Sequence, residues 1–121
     1  MIDQVIFWIG STLLILGGLL DIVAAIGVNK FKNFYLRLHA VTIGCIGGGV
    51  YPLIGIVLVT LSLDLPLLFK TYVVGVSIVA AILVALVSPT GSHVLARATY
   101  LSGEVHPEPV IVDRLEEDRR R

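Results

Sequence analysis

One acidic side chain, Asp21, interrupts an apolar stretch that runs from about Gln4 to Val28. Asp21 lies seven residues before Val28, which is about 10 Å along a helix. A carboxylate at that depth of a bilayer is costly, and it usually marks an ion route or a polar contact with protein. Two roles for Asp21 stay open: a hydrogen-bonded acid in a helix interface, or a relay for a proton or cation.

The residues around Asp21 indicate the direction in which it points. Gly17, Asp21 and Ala25 follow each other at helical spacing, with Gly10 and Gly18 nearby. Because small residues let a second helix approach closely, we expect Asp21 to face protein or a water-filled cavity rather than lipid. The other two apolar stretches carry no basic residue at a matching depth. Its partner is therefore a hydroxyl group, water or another polypeptide.

Two pairs of basic residues flank the later apolar stretches. Arg37 and His39 precede the second stretch, and His93 and Arg97 follow the third at a spacing of four residues. Such residues commonly anchor helix ends among lipid headgroups. The alternative is a polar cluster on the cytoplasmic side that packs against another subunit, where histidine would let protons enter.

The second apolar stretch is rich in glycine. Gly44 and Gly48 form a G-x-x-x-G pair, which is typical of tight helix packing, and Gly17 is the matching candidate in the first stretch. The alternative interpretation is a flexible hinge, helped by Pro52.

Composition excludes most soluble classes of protein. Of the 121 residues, 56% are hydrophobic and 15% charged, and eleven of the eighteen charged side chains fall in residues 97–121. The rest of the chain cannot cover a water-soluble surface, so a soluble enzyme is excluded. Basic and acidic residues cancel, which leaves no positive field for nucleic acid. No metal-ligand spacing or phosphate-binding loop is present, and we predict no catalytic residues, cofactor or metal.

The pattern predicts an all-α membrane protein with three transmembrane helices. Because a bilayer core requires about 20 apolar residues per helix, we place the spans at about 4–28, 39–61 and 67–88. Pro89 is expected to end the third span, and residues 89–102 to form a short amphipathic helix on the membrane surface, stopped by Gly103. These elements make one transmembrane domain, residues 1–103, followed by a polar tail, residues 104–121.

Orientation follows from the basic residues beside the spans. The first loop holds Lys30, Lys32 and Arg37, whereas the N-terminus has no lysine or arginine side chain. Positive loops stay in the cytoplasm. We therefore expect the N-terminus outside, the tail in the cytoplasm, and a multi-pass protein of the plasma membrane.

Two motifs give the chain a recognisable likeness. Residues 26–28 read Ile-Gly-Val, and residues 34–40 read Phe-Tyr-Leu-Arg-Leu-His-Ala. Residues 88–98 read Ser-Pro-Thr-Gly-Ser-His-Val-Leu-Ala-Arg-Ala. In this order on a three-span chain, they resemble the G-type subunit of the multisubunit Na⁺/H⁺ antiporters of the Mrp type. The loop at residues 29–33 departs from the Arg-x-Pro-Asp that is common in that family.

The resemblance implies a small, non-enzymatic accessory subunit. Its partners would be the small E- and F-like membrane subunits and the large antiporter-like subunits, which carry the recognised proton channels. It makes Asp21 a candidate cation or proton contact, and it makes Arg37, His39, His93 and Arg97 candidates for cytoplasmic-side packing or proton entry.

Other functions stay open beside an antiporter subunit. Similar subunits occur in ion-pumping respiratory complexes, such as membrane-bound hydrogenases and sulfane reductases. A holin-like homo-oligomeric pore is a more distant alternative, and a plain membrane anchor of an enzyme complex is another. A small multidrug transporter is disfavoured, because it normally has four spans and a membrane glutamate.

Overall fold

The computed structural model describes residues 1–103 of the chain. Three helical spans in this part are long and apolar enough to cross a membrane, which confirms the predicted all-α class. The first span is helix α1, Ile2–Lys30, and the third is helix α4, Leu67–Ser102. The tail predicted for residues 104–121 lies outside the described residues.

The second span is built from three consecutive helical pieces. It covers Phe34–Ser62 and begins with α2, Phe34–Ile43. A π-helical stretch, Gly44–Val50, follows and is called the π segment below. The span ends with α3, Tyr51–Ser62. The wider turns of the π segment lie at the glycine-rich part of the sequence.

The three spans form an open layer with the second span in the middle. The second span packs against α1 on one side and against α4 on the other. Nowhere in residues 1–103 does a Cα atom of α1 come within 8 Å of one in α4. Short connections make neighbouring spans antiparallel, so α1 and α4 each use one face for packing inside this chain.

Small residues form the core of the layer. In the described part of the chain, Ala24 and Ala40 are the only buried hydrophobic residues besides glycine, and they keep 7% and 6% exposure. Large apolar side chains point outward along all three spans; Trp8 and Leu86, for example, are 67% and 65% exposed. An outward apolar surface of this kind fits a bilayer or neighbouring subunits, since neither penalises exposed hydrocarbon.

The turn between α1 and α2 is tighter than the sequence suggested. Helix α2 begins at Phe34 because the Asn33 side chain accepts a hydrogen bond from the backbone N–H of Tyr35, an N-terminal cap. Arg37 reaches back and donates from Nε to the carbonyl oxygen of Phe31, just past the end of α1. The second span therefore starts about five residues earlier than the predicted residue 39.

The segment after Pro89 is helical, as predicted, but it continues α4 instead of forming a separate surface helix. Proline removes one backbone donor, and helices in membranes tolerate that loss when neighbouring groups compensate. The carbonyl group that loses its donor at Pro89 is that of Ala85, and on the next residue the Thr90 hydroxyl donates to the neighbouring carbonyl oxygen of Leu86 at 2.9 Å. Helix α4 finally ends at Gly103, whose φ of 71° is left-handed and suits glycine.

A side-chain hydrogen bond attaches this continuation to the second span. Thr42 Oγ1 donates to the carbonyl oxygen of Leu38 at 3.0 Å, so its hydroxyl proton is already used. Ser92 Oγ lies 2.8 Å from Thr42 Oγ1 and therefore donates to it. The end of α4 is thereby held against α2 rather than turned along a membrane surface.

Candidate functional site

The Asp21 side chain lies directly on the backbone of the π segment. A methyl group added at Gly48 would overlap the Asp21 carboxylate, and one added at Gly44 would lie 3.5 Å from Asp21 Oδ1. The G-x-x-x-G pair therefore leaves the space that the Asp21 carboxylate occupies, in addition to allowing close helix packing. Sequence analysis identified Asp21 and the glycine pair separately, and the structure brings them together.

The close packing of α1 against the second span, called the α1 seam below, sets the position of the Asp21 side chain. At one end Gly10 faces Gly55, and an added Cβ at either glycine would lie within 2.8 Å of the other's carbonyl oxygen. Farther along, Gly17 packs against the ring of Pro52, so closely that an added methyl group would overlap it. Because backbone meets backbone here, α1 cannot slide or rotate freely, and the Asp21 carboxylate is held at Gly48.

The small residues of α1 that form the seam differ from part of the predicted set. Gly10, Gly17 and Ala24 are buried at a seven-residue repeat. By contrast, Ala25 is exposed and Gly18 has no atom within 4 Å of an added Cβ. Seven-residue spacing keeps one stripe along two antiparallel helices that cross at a shallow angle, whereas the predicted four-residue series drifts away from it.

The Asp21 carboxylate has no hydrogen bond or ion pair with any residue in the described range 1–103. The side chain is exposed in this chain, at the edge of the seam. A carboxylate on the outer surface of a membrane span is not stable against lipid, because hydrocarbon supplies no hydrogen-bond donor. An ionised carboxylate at this position of a membrane span would need water, an ion or another polypeptide beside it.

The π segment also leaves one carbonyl group without its usual donor. Tyr51 N–H donates to Ile46 O, so it does not serve Gly47 O as it would in an α-helix. The next possible donor, residue 52, is proline and has no N–H. The Gly47 carbonyl oxygen points toward α1, where an added Cβ at Gly17 would lie 3.1 Å from it.

Sequence analysis missed this carbonyl group, although the signal was present. A proline four or five residues after a glycine cluster removes a backbone donor from that cluster, whichever helical register the chain adopts. Pro52 was considered only as part of a hinge. In the structure Pro52 is the second residue of α3, directly after the π segment, and its ring packs against Gly17.

The four basic residues predicted for the cytoplasmic side lie at one end of the layer, all on exposed positions. Arg37 closes the turn after α1 through its bond to Phe31 O. His39 lines a shallow groove against α1 with Gly27 and Lys30. Within residues 1–103, no hydrogen bond or ion pair connects these two residues with His93 or Arg97 on α4.

Beside this basic end lies a polar atom that sequence analysis did not identify. The hydroxyl group of Tyr35 is buried and has no hydrogen-bond partner in the described part of the chain. The ring of Tyr35 packs edge-on against Phe34 at 5.8 Å between centroids. Buried hydroxyl groups nearly always have a partner in complete assemblies, so this one is a further sign of an incomplete surface.

Clusters suited to a bound transition metal are absent from the described residues. Within residues 1–103, no group of three or more histidine, cysteine or acidic side chains lies close enough to hold a metal ion. The single cysteine, Cys45, lies half-buried in the π segment and is unpaired. The candidate chemistry of the described part therefore rests on Asp21, the π segment and the basic end.

Comparison with known proteins gives a consistent likeness. Residues 13–100 match the family of Na⁺/H⁺ antiporter subunits that includes PhaG, MnhG and YufB. A relative in Staphylococcus saprophyticus is 27% identical over 101 residues, and one in Staphylococcus haemolyticus is 28% identical over 102 residues. A third, in Staphylococcus aureus, is 30% identical over 96 residues. All three carry the provisional name antiporter subunit mnhG2.

These relatives are longer than the chain. The matches cover 84%, 84% and 78% of this chain but 64%, 56% and 61% of the respective relatives. The chain thus spans about three fifths of their length. No solved structure matches the chain significantly. The matched region nevertheless includes Asp21, the π segment and all four basic residues of the candidate site.

Proposed function

Because the chain belongs to the Na⁺/H⁺ antiporter subunit family, in its G-type branch of the Mrp antiporters, we propose that it is an accessory membrane subunit of a multisubunit cation/proton antiporter. It is a multi-pass protein of the plasma membrane and belongs to a family of transport subunits, not of enzymes. Its role is to assemble with other subunits and to present Asp21 at their boundary.

The unpartnered Asp21 carboxylate is the observation that carries this proposal. It lies within a membrane span, held in place by Gly48, and it has no hydrogen-bond partner in residues 1–103. An acid that is positioned this firmly but left unpaired is useful only when a neighbouring subunit, water or an ion completes its surroundings. The buried Tyr35 hydroxyl supports the same conclusion at the basic end.

Charge placement supports the orientation. At the end formed by the turn after α1 and the end of α4 lie Lys30, Lys32, Arg37 and Arg97, whereas the opposite end carries Asp3, Asp64 and a single lysine, Lys70. By the positive-inside rule, the basic end faces the cytoplasm and the N-terminus lies outside. Arg37, His39, His93 and Arg97 then form the cytoplasmic surface on which other subunits pack. The hydrogen bond of Arg37 to Phe31 favours packing over proton entry for that residue.

Two substitutions of Asp21 test the proposed role in transport. Asp21→Asn keeps the shape of the side chain, so we expect normal assembly but at least a tenfold loss of Na⁺-linked proton exchange in membrane vesicles. Asp21→Leu removes the polar group and is expected to weaken retention of the partner subunits as well. Asp3→Asn is the matched control, because it makes the same change at the end of the same helix and should leave both readouts unchanged. Unchanged exchange by Asp21→Asn would remove Asp21 from the ion route.

Affinity purification of the tagged full chain in mild detergent tests the assembly. Mass spectrometry should recover E- and F-like small subunits and large antiporter-like subunits. The same set with metal-centre proteins would place the chain in a respiratory complex of the hydrogenase or sulfane-reductase kind. Recovery of this chain alone, as a homo-oligomer, would contradict the subunit proposal and favour a holin-like pore.

A further inference from the structure

A groove between α1 and α2, called the α1–α2 groove below, has apolar walls and a basic mouth. Its volume is about 390 Å³, and Val23, Ile26 and Ile43 supply hydrocarbon to its walls. Lys30 and His39 line the same groove. Both side chains are exposed, and within residues 1–103 neither makes a hydrogen bond or an ion pair. The groove therefore combines an apolar interior with two unpaired nitrogen-bearing side chains.

Contacts between the spans place the mouth of the groove at the height of the other basic residues. Gly27 packs directly against Ala40. Because the two helices are antiparallel, Lys30 and Arg37, three residues farther toward the turn, lie at about the same height. The hydrogen bond that ties α4 to α2 brings Arg97 to this height as well. Since lysine and arginine gather at the headgroup level of a bilayer, the groove opens at that level and its interior lies among the acyl chains.

The groove has the width of a hydrocarbon chain rather than that of a helix. From Val23 to Lys30 it extends about 10 Å along α1, so its mean cross-section is about 40 Å². A helix with its side chains is about 10–12 Å across and needs a cross-section of about 80 Å² or more. A whole helix of a neighbouring subunit therefore cannot enter the groove, whereas one acyl chain of a lipid can.

The groove and Asp21 lie on opposite flanks of α1. Successive residues of a helix are rotated by about 100°, and Ala24 faces the second span. Asp21 is therefore displaced by about 60° to one side of Ala24, and Val23 by about 100° to the other side. Whatever completes the surroundings of Asp21 can approach α1 without covering the groove.

We propose that the α1–α2 groove binds an anionic phospholipid, a ligand that goes beyond the proposed transport role and does not depend on it. One acyl chain packs between Val23, Ile26 and Ile43. The phosphate group pairs with the Lys30 ammonium group and accepts a hydrogen bond from the His39 ring. An acyl chain brings no polar group into the apolar interior, and the headgroup brings its negative charge to the height of the two basic side chains. The bound lipid thereby becomes part of the cytoplasmic surface on which other subunits pack.

Photo-crosslinking tests the proposal on the affinity-purified full chain with the subunits that it retains, reconstituted in vesicles. Phosphatidylglycerol with a photoreactive group on one acyl chain is compared with phosphatidylcholine that carries the same group. Mass spectrometry then maps the labelled peptides. We expect at least fivefold more labelling of the groove walls by the anionic lipid, since one interfacial cation contributes about fivefold in affinity. Exposed residues on the outer face of α1, such as Ile15, should be labelled equally by both lipids.

Substitutions at the mouth and in the walls separate the two parts of the site. The double variant Lys30→Gln with His39→Phe should lose the excess labelling by phosphatidylglycerol, whereas Lys30→Arg should keep it. Lys32→Gln is the matched control, because it removes the same charge from the neighbouring turn, outside the groove. Val23→Trp fills the groove and should reduce its labelling by both lipids at least fivefold. Val5→Trp, the same change at a similarly exposed position of α1, should not.

Each outcome decides the proposal without deciding the assignment as an antiporter subunit. Loss of the anionic excess in the double variant and in Val23→Trp, with retention in Lys32→Gln and Val5→Trp, would support the lipid site. Equal labelling of the groove walls by the two lipids, or an excess that survives the double variant, would overturn it. If neither lipid labels the groove walls while Ile15 is labelled, a neighbouring polypeptide covers the groove and the lipid site is wrong.

Discussion

The two sides of the second span are packed in different ways. Against α1, glycines meet backbone: Gly10 faces Gly55, and Gly17 faces Pro52. Against α4, side chains enclose an apolar groove of about 350 Å³ between Val50, Ile54 and Ala81. Among residues 1–103, the hydrogen bonds on this side lie only at its two ends: Ser92 bonds to Thr42, and Lys70 Nζ donates to the carbonyl oxygen of Leu61 at 3.1 Å.

The interface of the second span with α1, the α1 seam, is therefore rigid, whereas its interface with α4, the α4 seam, can adapt to changes in side-chain size. A backbone-to-backbone contact cannot adjust, so the α1 seam fixes the position of the one membrane carboxylate. The α4 seam is loose in its middle and fixed at its ends, which leaves room for small changes in side-chain volume. We therefore expect substitutions in the α1 seam to be more harmful than equal substitutions on α4.

Gly55→Ala is the change expected to have the largest effect. The added Cβ would lie 2.7 Å from Gly10 O and 3.0 Å from Leu14 Cγ, and a backbone carbonyl group cannot rotate away. Overpacking of this kind costs about 2 kcal/mol in the free energy of unfolding. The measurement is equilibrium unfolding of the full chain in mixed micelles with increasing sodium dodecyl sulfate.

Gly75→Ala on α4 is the matched control for that substitution. Nothing lies within 4 Å of a Cβ added at Gly75, so no loss of stability is expected. Alanine also has the higher helix propensity. Equal losses for the two variants would mean that the α1 seam is no tighter than the surroundings of α4.

Asn33→Ala weakens the turn that starts the α1 seam, and its expected effect is smaller. The substitution removes the acceptor for Tyr35 N–H at 2.9 Å, and the loss of such a cap costs about 1 kcal/mol. Asn33→Asp should keep the stability, because a carboxylate accepts the same bond and favours a helix N-terminus. The same unfolding measurement checks both variants, and a loss with Asp as large as with Ala would show that capping is not the cause.

The sequence allowed prediction of the three spans because their apolar length is a direct requirement of the bilayer. Helix ends were harder, since they depend on caps such as Asn33 rather than on hydrophobicity. The end at Gly103 was an exception, because glycine is the residue that most readily adopts the left-handed conformation that ends a helix. The predicted helix end at Pro89 was wrong, because the local preference of proline for a helix break is overridden by packing of the following residues against α2.

The candidate site was only partly predictable for a similar reason. Asp21 stands out by charge alone, and the G-x-x-x-G pair by spacing. Their contact depends on which stripe of α1 faces the second span, and Ala24 and Ala25 are equally small candidates in the sequence. The free Gly47 carbonyl group depends on a change of helical register, which hydrophobic patterns do not encode.

The smallest expected effect concerns the tie between Ser92 and Thr42, at the end of the loose seam. A double-mutant cycle with Ser92→Ala and Thr42→Val should give a coupling of about 0.6 kcal/mol, the usual size for a hydrogen bond between membrane helices. Thr90→Val with Thr42→Val is the matched control pair and should show no coupling, because Thr90 bonds to Leu86 within its own helix. If Ser92 and Thr42 also show no coupling, the end of α4 is held to α2 by apolar packing alone, and the α4 seam has no polar tie at its basic end.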